Sequence, residues 1–90
     1  MKLKGLKFKA QHPDIGGCQA VIEFDNGYGA SVVSGGIAYT SERLPYELAV
    51  LKDGEICYDT PVTDDVLGYQ TSDSVASLLN QIASLPKEVA

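Results

Sequence analysis

The 90-residue chain has no tryptophan, one methionine, one histidine and two cysteines. A structural zinc site needs several His or Cys ligands brought together, and His12 alone cannot complete one. Cys18 and Cys57 are too few for the disulfide framework of a small secreted domain, so both are expected to be free thiols. No apolar run approaches the ~20 residues needed to span a bilayer. The segment Met1 to Lys9 interleaves lysine with apolar residues and does not read as a secretory signal peptide, which predicts a cytoplasmic address. Cations are scarce too: seven Lys and Arg stand against twelve Asp and Glu, a net charge of −5. The first ten residues hold four lysines and no acid, so the other eighty carry three cations against twelve anions, a net of −9. Between Asp53 and Asp73 lie six acidic residues (Asp53, Glu55, Asp59, Asp64, Asp65, Asp73) and no basic one. Phosphate contacts need clustered Lys and Arg, so direct nucleic-acid binding is not expected. Two readings of the acidic balance stay open: a basic protein partner, or a solvated face that aids solubility.

What is present describes one globular domain over residues 1–90. An apolar content of 44% beside 21% charged residues argues against disorder. A domain of this length buries roughly 60–65% of the surface its unfolded chain exposes, an adequate but thin core.

The pattern predicts a meander of short strands and then one helix. A lysine-rich strand over 2–10, with a bulge at Gly5 where the alternation slips, suits a sheet edge because charge discourages edge-to-edge pairing. Residues 11–17 form a loop punctuated by Pro13 and Gly16-Gly17. A strand over 19–25 runs into Asn26-Gly27, a strong hairpin signal. With those two residues as the turn, Phe24 faces Gly29, Ile22 faces Ser31 and Ala20 faces Val33. Glu23 and Asp25 then lie beside Ala30 and Tyr28. Ser34-Gly35-Gly36 breaks the next strand, 37–40 resumes briefly, and 41–45 is loop. Residues 46–52, the Asp53-Gly54 turn and 55–59 form a second hairpin, pairing Lys52 with Glu55 and Leu51 with Ile56. Cys57, inside its apolar pattern, is expected to pack as a small hydrophobe, and Cys18 to lie nearer the surface.

Both faces of that hairpin are apolar, so each calls for cover. A turn over 60–70 should pin Val66, Leu67 and Tyr69 against the body. Thr71 or Ser72 can cap a helix with Asp73 in its first turn. Val75, Leu78, Leu79, Ile82 and Leu85 follow at helical spacing, and Pro86 ends it. A helix of about 14 residues, ~21 Å long, shields only part of such a sheet. The other face is then a candidate self-association surface. The fold class is α+β: an antiparallel sheet of four to five strands, two hairpins plus a lysine-rich N-terminal edge strand, with one C-terminal helix on one face.

No catalytic constellation stands out. Asp64 and Asp65 are adjacent in an extended segment, point to opposite sides and make a poor acid–base dyad; Asp64 fits an Asx-type turn better. His12 and Cys18 share a loop, but nothing nearby orients the histidine or lowers the thiol pKa. The paired glycines match no phosphate-binding string and precede no helix. No cofactor, metal or enzymatic activity is expected. The five tyrosines suit a contact surface, since Tyr offers large rigid area with a polar tip. The candidate protein-contacting residues are Glu23, Asp25, Tyr28, Tyr39, Tyr58, Asp59, Asp64 and Asp65.

The string Tyr46-Glu47-Leu48-Ala49-Val50-Leu51, the Asp-Gly turn, and then Tyr58-Asp59-Thr60-Pro61-Val62-Thr63-Asp64-Asp65-Val66-Leu67-Gly68-Tyr69 resembles small bacteriophage- and prophage-encoded proteins with no settled activity. Phe24-Asp25-Asn26-Gly27-Tyr28 followed by Ala30-Ser31-Val32-Val33 fits the same group, and the resemblance spans about His12 to Leu85. It implies a protein made in the cytoplasm of a bacterial host and assigns no functional residue. The expected function is a non-catalytic accessory protein that binds a host protein, in its specific form a basic, nucleic-acid-binding component of a defence system such as CRISPR interference. The alternative is a self-assembling structural or small-ligand-binding module, a homodimer or larger.

Overall fold

Asp53 and Gly54 both adopt left-handed backbone, φ 52° and 85°, as the type I′ turn of a two-residue hairpin requires. The computed structural model describes residues 6–36, 40–63 and 65–87. Its elements are β1 (Lys9–Ala10), β2 (Cys18–Glu23), β3 (Tyr28–Ser34), β4 (Tyr46–Lys52), β5 (Glu55–Ile56), β6 (Leu67–Gln70) and α1 (Ser72–Ala83). They form one antiparallel sheet in the order β1-β2-β3-β4, with β5 and β6 both paired to the outer side of β4, and one helix packed on it. The α+β fold read from the sequence is the fold observed. Pairing of Lys52 with Glu55 and Leu51 with Ile56 follows the Asp-Gly turn as expected.

The first hairpin differs by one residue. Glu23 faces Gly29, Ile22 faces Ala30 and Ala20 faces Val32. The loop holds three residues: Phe24 N–H donates to the Tyr28 carbonyl at 2.8 Å, and Gly27 N–H to the Phe24 carbonyl at 3.3 Å. A two-residue I′ turn would need positive φ at Asn26 as well as at Gly27. Only Gly27 has it, at 88°, which gives the three-residue loop with a bulge. The shift puts Phe24 opposite Tyr28 and moves Asp25 into the loop, so Phe24 does not cover Gly29.

Three further expectations are corrected. Among the described residues, the lysine-rich strand covers only Lys9–Ala10, opposite Gln19 and Cys18. Leu6 and Phe8 pack onto the core instead, with the Phe8 ring 6.1 Å from that of Tyr46; the proposed Gly5 bulge and most of residues 37–40 lie outside the described residues. The strand expected over 55–59 ends at Ile56; Cys57 N–H still donates to the Val50 carbonyl at 2.8 Å, and the chain leaves β4 after it, with the Cys57 thiol bonded to Asp59. The expected turn near Leu67 is instead the strand β6, which returns to the edge that β5 left, so the two are one edge strand interrupted by residues 57–66. Its pairing slips between Leu48 and Tyr46, where Gly68 and Tyr69 oppose Glu47 as a bulge. Tyr69 takes φ 55° there and is 52% exposed rather than pinned.

One sheet face carries Ala20, Ile22, Ala30, Val32, Leu48 and Val50, the alternate positions of β2, β3 and β4. The buried stripe of α1, Val75, Leu79 and Ile82, covers it. Leu48, Leu79 and Ile82 are fully buried, each contributing about 1.5–3 kcal/mol by leaving water. Thr71 starts the helix in a reciprocal cap: its Oγ1 accepts Ser74 N–H at 3.1 Å, and Ser74 Oγ accepts Thr71 N–H at 2.9 Å. The helix stops at Ala83, short of the expected length, and Leu85 packs on the core from beyond its end.

Asn26 locks the helix end to the first hairpin. Its Nδ2 donates to the carbonyls of Ile82 (2.8 Å), Leu85 (3.0 Å) and Ala83 (3.3 Å), and its Oδ1 accepts Tyr28 N–H at 3.0 Å. A turn residue thereby satisfies carbonyls that a helix end leaves unpaired.

On the opposite sheet face Ala49 and Leu51 are buried, while Val21 is 57% and Ile56 50% exposed. At the end of the sheet away from Asn26, Gly16-Gly17 crosses Gly35-Gly36 so closely that a β-carbon at Gly17 would strike the Ser34 and Gly35 backbone. These glycines serve chain crossing, in keeping with their turn role. No helix among the described residues is long and apolar enough to cross a membrane.

Candidate functional site

In a meander, connections alternate between the two ends of the sheet, so the β2–β3 and β4–β5 turns fall at one end and the β3–β4 connection at the other. Here the two turns touch: Asp53 N–H donates to the Gly27 carbonyl at 3.2 Å. That contact gathers Glu23 and Asp25 from the first hairpin with Asp53 and Glu55 from the second. Tyr28 lies in the same row, opposite Lys52, which in turn faces Glu55. A shallow depression of about 130 Å³ lies between the turns, walled by Glu23, Tyr28, Leu51 and Asp53. It adjoins, through Asp53, a broader and more open one of about 540 Å³ along Ile56, Cys57, Tyr58 and Asp59. Tyr58 is 53% exposed beside it. The first depression is well below the ~300 Å³ at which small-molecule pockets begin.

The end is therefore concave, acidic and edged with tyrosine. Glu23, Asp25, Asp53, Glu55 and Asp59 are all exposed, with Lys52 as their one neighbouring cation among the described residues of this end. Such a field favours a Lys or Arg side chain reaching in from a partner.

Cys57 is half-buried and packs against the core. Its thiol donates to Asp59 Oδ1 at 2.8 Å. The carboxylate that accepts this proton pushes the thiol above its ordinary range, and the donated bond holds Asp59 below the usual carboxylate range. A thiol held protonated is a poor nucleophile. Cys18 is exposed, and both cysteines are free. His12 turns its Nδ1 to Asp14, accepting that residue's N–H at 3.2 Å, not to Cys18. No group of three or more His, Cys, Asp or Glu able to hold a metal occurs among the described residues.

Of the candidate contact residues, Glu23, Asp25, Tyr28, Tyr58 and Asp59 fall on this end or on the adjoining β5 edge. Asp65 stands apart: its Oδ1 accepts Val66 N–H at 2.7 Å and its own N–H goes to Thr63 Oγ1 at 3.1 Å, which fixes the turn leading into β6. Tyr39 and Asp64 lie outside the described residues. Asp53 and Glu55, counted from the sequence in the acidic stretch and the second hairpin but not among the candidate contact residues, belong with the site. The signal was available, because two tight hairpins joined by one connection at the far end of an antiparallel sheet present their turns together. Compared with known proteins, the chain matches no family model, no curated protein and no solved structure.

Proposed function

We propose that the protein acts by binding another protein, without catalysis, through the acidic end formed by its two hairpin turns. The observation that carries this reading is the convergence of Glu23, Asp53, Glu55 and Asp59 around two adjoining depressions bordered by Tyr28 and Tyr58, with Asp25 exposed in the loop next to Glu23. Carboxylates at the rim accelerate encounter with a basic surface, and tyrosines supply contact area. A surface that normally holds nucleic acid is basic in this way. Together with the resemblance to phage and prophage proteins, this favours a host nucleic-acid-binding protein in the bacterial cytoplasm, in its specific form a component of a defence system.

The test is affinity capture from bacterial lysate at low and moderate salt, using the native chain and the charge-neutralised variant E23Q/D25N/D53N/E55Q. A basic host protein held by the native chain, released by salt and not held by the variant supports the reading. Equal retention by both chains sinks it. The half-exposed Val21 and Ile56 on the sheet face away from the helix favour a second reading, self-association. A solution mass equal to one chain at micromolar concentration would remove it.

A further inference from the structure

Asn26 is followed by Gly27, the pairing in which a backbone nitrogen meets least steric hindrance on its way to the preceding side-chain amide. We propose that Asn26 is a deamidation site kept closed by the docked helix, and that its conversion makes helix undocking irreversible. In the reaction the Gly27 nitrogen gives its proton to a solvent base and bonds to Asn26 Cγ. The Cγ–Nδ2 bond breaks, ammonia leaves, and a five-membered succinimide remains. Water then opens either carbonyl, leaving aspartate or isoaspartate.

Each reacting group is engaged in the folded chain. The nucleophile's N–H is given to the Phe24 carbonyl at 3.3 Å. The leaving nitrogen is held by the carbonyls of Ile82, Leu85 and Ala83, and the carboxamide oxygen by Tyr28 N–H. The residue is 8% exposed, so water and base reach it poorly. For the carboxamide to swing toward the Gly27 nitrogen, its three bonds to the helix end must break, which happens when that end leaves the turn; the Gly27 and Tyr28 N–H bonds lie within the loop itself. Afterwards the docked arrangement cannot re-form as it was. Aspartate would set a carboxylate against carbonyls at the negative end of the helix, and isoaspartate would lengthen the turn backbone by one atom. Gly27 itself is exposed, and a side chain there would meet nothing within 4 Å. The protection is therefore supplied by the hydrogen bonds and burial of Asn26 and not by crowding at Gly27.

The experiment holds the native chain and Leu79→Ala in mildly alkaline buffer, with and without denaturing urea, and follows Asn26 by peptide mapping and isoaspartate assay. Conversion in the folded native chain should be at least about tenfold slower than in urea, since it tracks the open population. Leu79→Ala, with its helix loosened, should convert faster than the native chain in plain buffer. Asn26→Asp, made directly, should unfold at lower urea than the native chain. Equal conversion rates with and without urea would overturn the closed-site assignment, and an unchanged midpoint for Asn26→Asp would overturn the irreversibility.

Discussion

Replacing Asn26 by alanine removes three hydrogen bonds donated to the end of α1, 56 to 59 positions away, and one accepted from Tyr28 that fixes the turn. Each such bond contributes about 0.5–1.5 kcal/mol net, with more lost where a group is left buried and unpaired. The loss is tempered at Ile82, whose carbonyl also accepts Leu85 N–H at 3.1 Å. The carbonyls of Leu85 and Ala83 can turn to water, because the helix end is partly exposed. These terms give an expected destabilisation of about 2–4 kcal/mol. A domain of this length has on the order of 5–13 kcal/mol in total, so the change is a large share. In thermal unfolding it corresponds to a fall of roughly 8–32 °C, at about 4–8 °C per kcal/mol. Urea titration followed by circular dichroism and by tyrosine fluorescence measures it directly. A destabilisation below about 0.5 kcal/mol would refute the assignment of Asn26 as the tie between hairpin and helix, since it is less than one ordinary hydrogen bond.

Leu79→Ala empties a fully buried site between α1 and the sheet, and should cost about 2.7–5 kcal/mol by urea titration. Tyr69→Gly relieves left-handed backbone at an exposed bulge, where a side chain costs about 1–2 kcal/mol, against a flexibility cost of up to about 1 kcal/mol; the variant should match or slightly exceed the native stability, and clear destabilisation would show that the tyrosine ring contributes to packing. Thiol alkylation should reach Cys18 before Cys57, and Asp59→Asn should speed the reaction at Cys57; equal rates in the native chain would contradict the Cys57–Asp59 bond. Because the Cys57 pKa is raised on folding, its contribution to stability is present below the ordinary thiol pKa and fades as pH climbs through the higher folded value, a slope that a cysteine-to-serine variant should lack.

The elements governed by local chemistry were legible in the residues. Asp53-Gly54 set its register because both positions could take left-handed backbone, and Thr71 with Val75, Leu79 and Ile82 marked the helix start and its buried stripe. What escaped notice depends on distant partners. Asn26 carries a hairpin signal whether or not its side chain is needed elsewhere, and its contact with a helix end more than fifty positions away left no local trace. Such capture explains why the loop takes three residues and the register moves by one. β6 was obscured for a similar reason: Leu67–Gln70 is short and irregular, and becomes a strand only because β4 offers an unpaired edge. The candidate site was half visible, as acidic residues and tyrosines, but the adjacency of Asp53 to Gly27 required the two turns to be seen together.

The divided edge strand also limits how a partner can engage the molecule. Peptides that bind by strand addition need a continuous row of outward backbone donors and acceptors. Beyond β4 that row is two residues in β5 and four in β6, separated by the excursion 57–66 and offset by the Gly68–Tyr69 bulge. An extended peptide laid along it would lose register before its third rung. Any recognition on this side of the sheet therefore falls to side chains, and the excursion that breaks the ladder is also what leaves Tyr58 and Asp59 exposed.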